Sequence, residues 1–407
     1  MTERALEDLR VIDISQGIAG PYATKLLADA GADVLKVEPP GGDYTRRRGP
    51  FPGGVPDAEA SGLYLHLNTS KRAITLDVSV AAGHDILRRL LARADVLVTS
   101  DKTSTLASWR LTFEDLRGEF PELVFAQVSP FGATGPYADY DGNSLTAMAM
   151  STIMYGTGDP DREPLVTGGE PAEYIAGVHL WIGILAALEN RALRGGGDHV
   201  DVSMSEAAAA ADEYNAAMYA FQGAVRRRYY SRHIFGYPND IMPVADGYVV
   251  VIAGANSWPS PLAPDTVSMM ALLFEDPELD KNPAFASTAE RIINWRNFDA
   301  LVQPYLAAHS AQEIVMTAQA LRLPFAFVPD AARLLADEHL AARRFFETVA
   351  QPGVGAISVP GAPFKMTETP LYAGPAPARG SANEEVFVRE LACSPADLAA
   401  LSEEGVV

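Results

Sequence analysis

Nucleophilic and metal-dependent catalysis usually leaves a recognisable spacing of His, Cys or Ser, and this sequence of 407 residues has none of those spacings. No two of its seven histidines stand four residues apart, and no serine lies in a G-x-S-x-G motif. The single cysteine, Cys393, can form neither an internal disulfide nor a cysteine-ligated zinc site. We therefore expect no metal site. The chemistry that remains is that of carboxylates, which 52 Asp and Glu residues could supply.

The excess of acidic residues excludes several classes of partner. The formal net charge is −20, whereas proteins that bind nucleic acids or anionic membranes carry a basic surface. The charged stretch from Met1 to Asp8 is unlike a signal peptide, and the longest apolar run, Tyr174 to Leu188, is too short to span a bilayer. A single cysteine also fits a reducing compartment. We expect a cytoplasmic protein with no nucleic-acid or membrane partner.

The elements that must position any such carboxylates alternate between strand and helix in the first part of the chain, which predicts a parallel α/β sheet. The loop after the first strand, Gln16 to Pro21, falls at the carboxyl edge of that sheet, where ligands usually bind. It does not match G-x-G-x-x-G, so we expect no nicotinamide cofactor. The predicted strands are Leu9–Ser15, Val34–Val37, Ala73–Val78, Asp95–Val98 and Leu123–Val128.

The rest of the chain predicts a long apolar helix from Glu173 to about Arg194, a strand at His199–Ser203 and an alanine-rich helix at Glu206–Phe221. The arginine-rich and tyrosine-rich stretch Arg226–Arg232 is typical of a connector, and a region of different character follows it. We predict a large Rossmann-like domain over 1–224, a linker with a smaller α+β domain over 225–345, and a C-terminal segment over 346–407 that returns to the large domain.

Several blocks, in order along the chain, resemble those of one enzyme family. They are Leu9–Pro21, Leu26–Pro40, Asn68–Asp77, Gly177–Leu188, Pro363–Met366 and Leu401–Val407. On these blocks the chain is identified as a member of the family III CoA-transferases, which include formyl-CoA transferase, the carnitine CoA-transferase and the α-methylacyl-CoA racemases. The resemblance implies an α/β fold whose chain forms an open ring, interlocked with a second chain in a dimer. It also implies acyl-CoA and carboxylic acids as substrates, and no permanently bound cofactor.

The resemblance also implies a catalytic residue. The family's catalytic aspartate precedes the Gly177–Leu188 block, and Glu173 stands at its position here. By resemblance, Glu173 attacks an acyl-CoA thioester to give a mixed anhydride, and the CoA thiolate then returns to form a glutamyl-CoA thioester. At the start of a helix the ionised carboxylate is favoured. The extra methylene of Glu displaces this carboxylate by about a bond length, which matters because a shift of ~1 Å can cost ~100-fold in rate.

The family resemblance places CoA contacts on four segments. The turn after the fourth strand departs from the family's usual Glu-Asn-Phe-Arg-Pro-Gly, because Thr99 to Ser104 stand there. The run Arg46–Arg48 is interpreted either as an attractor of the CoA 3′-phosphate or as a solvated cluster. The implied CoA contacts are Gly17, Ile18, Ala19, Leu76, Asp77, Ser79, Ser100, Asp101, Lys102, Asp141, Asn143 and Ser144, and the implied substrate loop is Gly254, Ala255 and Asn256.

Two other functions stay open at this point. An acyl-CoA racemase or epimerase needs an acid/base pair, and the segment that carries a His-Asp pair in the racemases has Asp141 but no histidine here. The second alternative is a catalytically silent CoA-binding subunit, paired with a homologue that bears the aspartate. A homodimer and a heteromer are therefore both compatible with the sequence.

Overall fold

The computed structural model describes residues 4–232, 236–252 and 266–407. The predicted substrate loop, Gly254, Ala255 and Asn256, lies outside the described residues. The chain divides into two compact units. The first comprises Met1–Met154, Val166–Ala224 and Glu338–Val407, and the second comprises Tyr155–Leu165 and Val225–Asp337.

The regular elements are numbered here in chain order. The strands are β1 Arg10–Asp13, β2 Asp33–Glu38, β3 Arg72–Thr75, β4 Val96–Thr99, β5 Val124–Ser129, β6 His199–Ser203, β7 Asn239–Val244, β8 Gly247–Ile252, β9 Ala326–Phe327, β10 Phe346–Gln351 and β11 Gly355–Pro360. The helices are α1 Ala19–Asp29, α2 Gly62–Leu67, α3 Ala81–Leu91, α4 Thr103–Ser108, α5 Phe113–Leu116, α6 Ser144–Met150, α7 Thr152–Tyr155, α8 Pro171–Arg194, α9 Met204–Ala210, α10 Glu213–Gln222, α11 Thr266–Leu273, α12 Pro277–Lys281, α13 Thr288–Ile293, α14 Trp295–Ala308, α15 Ala311–Ala320, α16 Ala331–Leu335, α17 Glu338–Ala342 and α18 Pro395–Glu403. Short 3₁₀ turns cover Tyr44–Arg47, Pro52–Gly54 and Pro283–Phe285, and a π-helical turn covers Glu384–Glu390.

A six-stranded parallel sheet forms the centre of the first unit, in the order β3-β2-β1-β4-β5-β6. All six strands were predicted, and the expected Rossmann-like sheet is confirmed. Because β1 pairs with β2 on one side and β4 on the other, the strand order reverses there, which is where open α/β sheets form a ligand crevice. The loops after β1 and β4 are joined by a hydrogen bond of 2.8 Å from the Gln16 N–H to the Ser100 hydroxyl.

Apolar side chains cover both faces of this sheet, as a buried parallel sheet requires. On one face, α1 and α8 pack against β4 and β5. On the other face, α3 packs with the C-terminal segment, from which Val386 and Phe387 are fully buried. The Ala382 N–H also donates to the Ala73 carbonyl at 2.9 Å. The C-terminal segment thus completes the core of the first unit.

Helix α8 is longer than the apolar run from which it was predicted. Its 24 residues are long and apolar enough to cross a membrane, by length and composition alone. Ala176, Leu180 and Ile184 on one face are buried in the core with α1 and the sheet, which is typical of the core helix of a globular domain. A Cβ atom at Gly177 would lie 2.7 Å from the Ala19 carbonyl oxygen. The second turn of α8 therefore lies directly beside the first turn of α1.

The second unit is an α+β structure with its own core. Strands β7, β8 and β9 form an antiparallel sheet, and helices α11, α14 and α15 pack on a core that includes Phe298. The segment Tyr155–Leu165 belongs to this unit, although it lies within the range 1–224 assigned to the large domain from sequence. The reason is that Arg228 donates to the carbonyl oxygens of Tyr155, Asp159 and Arg162 at 3.0–3.1 Å. The first unit resumes at Glu338, earlier than the expected residue 346.

The alanine-rich segment predicted as one helix over Glu206–Phe221 is two helices in the structure, α9 and α10. The prediction was wrong at this junction because an aspartate, Asp212, interrupts the alanine series. Its carboxylate accepts a hydrogen bond of 2.9 Å from Thr152 and another from Asn215, so it is committed to tertiary contacts at the start of α10. Aspartate favours such positions over helix interiors.

Gly177→Ala tests the close approach of α8 to α1. We expect a destabilisation of about 1–3 kcal/mol, as for other overpacked sites, and a loss of the CoA-transfer activity that the sequence resemblance implies, because the N-terminal parts of the two helices move apart. Gly183→Ala is the matched control on the same helix, since its Cβ would meet only the Val200 side chain, at 2.6 Å. Urea unfolding measures stability. If both variants retain full activity at equal loss of stability, the contact at Gly177 does not position the site.

Candidate active site

Glu173 lies where two helix N-termini meet. It is the third residue of α8, and its side chain is buried, with 7 % of the residue exposed. Its carboxylate accepts hydrogen bonds from the backbone N–H groups of Ile18 and Ala19, which are the N-cap and first residue of α1. Free N–H groups and the helix dipole both favour an anion at this place. The structure thus brings the predicted catalytic residue together with two of the predicted loop contacts.

Opposing effects set the pKa of Glu173. Burial raises the pKa most strongly, and the neighbouring negative charge of Glu170 raises it further. The positive charge of Arg48 and the N–H groups of Ile18 and Ala19 lower it, and the net result is a pKa above the ordinary value of 4.5. Such a carboxylate is more basic than an exposed glutamate, and a more basic carboxylate is also a better nucleophile.

Tyr44 packs on the loop that supplies these N–H groups. A Cβ atom at Gly17 would lie 2.3 Å from the Tyr44 hydroxyl oxygen, and Gly17 has φ of +85°, so only glycine fits there. Burial, followed by the charge of Glu173, raises the pKa of Tyr44 to about 12. Tyr44 is therefore a neutral phenol with an O–H to donate beside Glu173. Sequence reasoning missed this residue, because an aromatic residue in a loop without periodicity carries no signal.

The predicted basic run separates into different roles. Arg46 is buried, donates two hydrogen bonds of 2.7 Å to Glu38 and stacks on Tyr64 at 3.6 Å, so it stabilises the fold. The side chain of Arg48 is 43% exposed, and its guanidinium makes an ion pair of 2.9 Å with Glu170, the N-cap residue of α8. Its charge also acts on Glu173 and Tyr44. Arg48 thus lies beside the candidate nucleophile, a place that the sequence did not reveal.

A buried ionic network supports the two loops that form the site. The Lys36 ammonium, from β2, donates to the Ser15 carbonyl after β1 and pairs with Asp43 at 3.0 Å, next to Tyr44. Asp13 pairs with Lys71 at 3.2 Å. Burial opposes ionisation of Asp13, but Lys36 and Lys71 hold its pKa below the ordinary value. Burial lowers the pKa of Lys71 to about 8.

Six of the other predicted CoA contacts form one cluster at the carboxyl ends of β4 and β5. Lys102 donates to the Asp139 carbonyl at 3.0 Å and makes an ion pair of 2.5 Å with Asp141. The Asn143 side chain caps α6, whose first residue is Ser144, by accepting a hydrogen bond from the Thr146 N–H at 3.1 Å. The remaining members, Ser100 and Asp101, lie in the turn after β4, where burial raises the pKa of Asp101. The structure therefore joins the segments 100–102 and 141–144, although they are far apart in sequence.

The predicted contacts Leu76, Asp77 and Ser79 lie at the C-terminal segment. The Asp77 N–H donates to the Val406 carbonyl at 2.7 Å, and the Asp77 carboxylate accepts hydrogen bonds from the N–H and hydroxyl of Ser79. Leu76 is buried in the core, and its N–H donates to the Glu38 carbonyl. Within the described part of the chain, no group of His, Cys, Asp and Glu side chains is arranged to hold a metal ion.

Comparisons with known proteins agree with this architecture. The family model described as CoA-transferase family III matches residues 6–383. The chain belongs to CoA-transferase family III. Succinyl-CoA–D-citramalate CoA-transferase of Chloroflexus aurantiacus is 32% identical, over 99% of this chain and 98% of that protein. A subunit of succinyl-CoA:(R)-benzylsuccinate CoA-transferase of Thauera aromatica is 33% identical, over 93% and 92%.

A solved CaiB/BaiF family protein from Brucella suis has the same fold, with a TM-score of 0.84 and 28% identity over 95% of this chain and 99% of that one. The resemblance found in the sequence blocks is confirmed over nearly the whole chain. This family III enzyme is therefore a CoA-transferase, which acts on CoA thioesters and carboxylic acids.

The free energy of unfolding of Glu173→Gln tests whether the pKa of Glu173 is raised in the folded protein. Since burial raises the pKa of Glu173, the ionised side chain destabilises the fold at pH 8, and the neutral variant is expected to be more stable there. Lowering the pH protonates Glu173 in the folded protein first. The advantage of the variant therefore shrinks as the pH falls from the raised pKa towards 4.5, where the unfolded chain also binds the proton. Urea unfolding at several pH values measures this difference.

Glu206→Gln is the matched control, because Glu206 is also the third residue of its helix, α9, but is exposed. Removing that favourable helix-terminal charge is expected to cost about 0.3–1 kcal/mol. If Glu173→Gln destabilises the protein to the same extent at every pH, Glu173 is an ordinary helix-terminal carboxylate.

Proposed function

We propose that this family III enzyme transfers CoA between carboxylic acids through covalent intermediates on Glu173. The observation that carries the proposal is a buried carboxylate held by two backbone N–H groups at a helix N-terminus, at the position where the family resemblance implies the nucleophile. Burial and the neighbouring charge of Glu170 raise the pKa of this carboxylate, which makes it more basic and supports a role as nucleophile.

The first half of the reaction exchanges one activated bond for another. A Glu173 carboxylate oxygen attacks the thioester carbon of acyl-CoA, the C–S bond breaks and CoA leaves as its thiolate, giving a mixed anhydride. The thiolate then attacks the Glu173 carbonyl carbon, the C–O bond of the anhydride breaks and the donor acid leaves as a carboxylate. The product is a glutamyl-CoA thioester. Thioester replaces thioester, so the exchange is nearly isoenergetic and needs no ATP.

The second half reverses these steps with another acid. The acceptor carboxylate attacks the glutamyl carbonyl carbon and releases the CoA thiolate, which then attacks the acceptor's carbonyl carbon and regenerates the Glu173 carboxylate. Each attack at the glutamyl carbon places negative charge on a glutamyl oxygen, beside the Ile18 and Ala19 N–H groups that donate to the carboxylate in the free enzyme. Donors that are already in place at this oxygen stabilise the charge as it develops. The Tyr44 hydroxyl supplies a further neutral donor beside them.

Covalent labelling tests the nucleophile. The protein is incubated with succinyl-CoA, the donor named for relatives in this family, then treated with hydroxylamine or borohydride and digested. We expect a mass change on the peptide that contains Glu173, absent in Glu173→Gln and retained in Glu206→Gln. If CoA binds but a panel of acyl-CoAs leaves no mark, the chain is a catalytically silent subunit. The relative named as a subunit makes this the second candidate.

Glu173→Asp tests whether the site is built for the longer side chain. The N–H groups of Ile18 and Ala19 are positioned for the carboxylate of Glu173, and shortening the side chain withdraws it from them. We expect a loss in kcat of about 100-fold, as for a misplacement of ~1 Å, measured by the rate of CoA transfer between two acids. An increase in kcat would instead mean that the site is built for aspartate and that Glu173 is the misplaced residue.

For assembly and location, we propose a cytoplasmic homodimer with the interlocked chains that the resemblance implies. A heteromer with an aspartate-bearing homologue is the alternative. Light scattering on the protein purified alone distinguishes them. An active dimer of identical chains supports the homodimer, whereas activity only after addition of the homologue supports the heteromer.

A further inference from the structure

An incompletely used guanidinium lies beside the candidate nucleophile. Arg48 acts on Glu173 through its charge, and in the described part of the chain the one hydrogen bond of its side chain runs from Nη2 to Glu170 Oε1, at 2.9 Å. A guanidinium has five N–H donors in a planar fork that matches a carboxylate or a phosphate. Most of the donors of Arg48 are therefore available for a ligand.

The bond to Glu170 is of the kind that a ligand can share or displace. Both side chains are partly exposed, 43% for Arg48 and 31% for Glu170, and exposed ion pairs contribute little to stability. Arg46, two residues earlier, differs because its guanidinium is buried against Glu38. Of the two, only Arg48 can change partners without leaving a buried charge unpaired.

The position of Arg48 decides which anion it meets. In acyl-CoA the whole pantetheine arm separates the thioester from the diphosphate and the 3′-phosphate. A cation beside the residue that attacks the thioester therefore meets the acyl end of the substrate, not the phosphates. The anion that an acyl group can carry there is a second carboxylate, as in the CoA monoester of a dicarboxylic acid.

Charge balance favours the same substrate. A second carboxylate stays ionised throughout the exchange, and it would be repelled by Glu170 and by a protein with net charge −20 unless a cation bound it. When Glu173 becomes an anhydride or a thioester its negative charge disappears. Arg48 is then balanced by Glu170 alone, so its attraction for a further carboxylate increases during the reaction.

We infer that Arg48 is the residue that selects dicarboxylic acids, binding the carboxylate that does not react while Glu170 holds the guanidinium in place in the empty site. This inference rests on the proposed function, because it assumes that the other carboxyl group reacts at Glu173. Acids that lack the second carboxylate are poor substrates in consequence.

The test compares acyl chains of equal length with and without a terminal carboxylate. Single-turnover labelling of Glu173 is measured with succinyl-CoA and butyryl-CoA. The wild-type protein is expected to react faster with succinyl-CoA. Arg48→Gln removes a charge beside Glu173 and so alters both rates, but it is expected to lower the ratio of the succinyl-CoA rate to the butyryl-CoA rate about 10- to 100-fold, as for the loss of charge-assisted hydrogen bonds. Arg48→Lys is expected to restore part of the preference. Arg47→Gln, at the exposed neighbouring position, is the control and keeps it.

Two further measurements separate the possible failures. Glu170→Gln removes the competing carboxylate, so succinate is expected to bind several-fold more tightly, by calorimetry, while butyrate binding is unchanged. Equal labelling by both thioesters in wild-type and Arg48→Gln proteins overturns the role of Arg48 but leaves the proposed function intact. No labelling by either thioester, with succinate still bound through Arg48, overturns the nucleophile alone. Succinate binding that is equal in wild-type and Arg48→Gln proteins overturns the inference.

Discussion

The buried ammonium of Lys36 is the interaction on which the site depends. It originates on β2, donates to the Ser15 carbonyl at the end of β1 and pairs with Asp43 in the loop that follows β2. A fully buried charge cannot release its partners without a large desolvation cost, so both loops are fixed relative to the sheet. One loop then presents the N–H groups of Ile18 and Ala19, and the other places Tyr44 against Gly17.

The short turn Tyr44–Arg47 connects this fixed loop to Arg48, which lies at the solvent-exposed edge of the site. Asp43 caps the turn, and Arg46 anchors it through Glu38. Arg48 follows in an extended conformation, its backbone is hydrogen-bonded to Thr45 and Ser61, and its side chain pairs with Glu170 at the start of α8. A fixed backbone that carries one partly exposed arginine side chain suits a residue that exchanges partners, because the exchange does not disturb the N–H groups that hold Glu173.

The fold was largely predictable because its signals are local. Apolar runs located β4 within a residue or two and β6 from His199 to Ser203, and the motif before Gly177 located Glu173. The supporting network was not predictable, because hydropathy places Lys36 and Asp13 at the surface, whereas both are fully buried as a pair with other charges. Tyr44 and the Arg48–Glu170 pair also gave no signal. The pair joins positions 122 residues apart, and neither partner lies in a periodic segment.

A second carboxylate next to a nucleophilic carboxylate disfavours the ionised form of the nucleophile. The position of Glu170 beside Glu173 therefore requires a physical reason. Burial and Glu170 together raise the pKa of Glu173, whereas Arg48 and the two N–H groups keep it from rising far. If only the raising effects acted, the carboxylate would take up a proton and lose its reactivity. If only the lowering effects acted, it would be ionised but weakly nucleophilic. Glu170 serves both sides of this balance, since it raises the basicity of Glu173 directly and holds Arg48, which limits that rise, beside it. Because the charge of Glu173 disappears in each covalent intermediate, the Arg48–Glu170 pair remains as a neutral unit, and the site does not accumulate charge during the exchange.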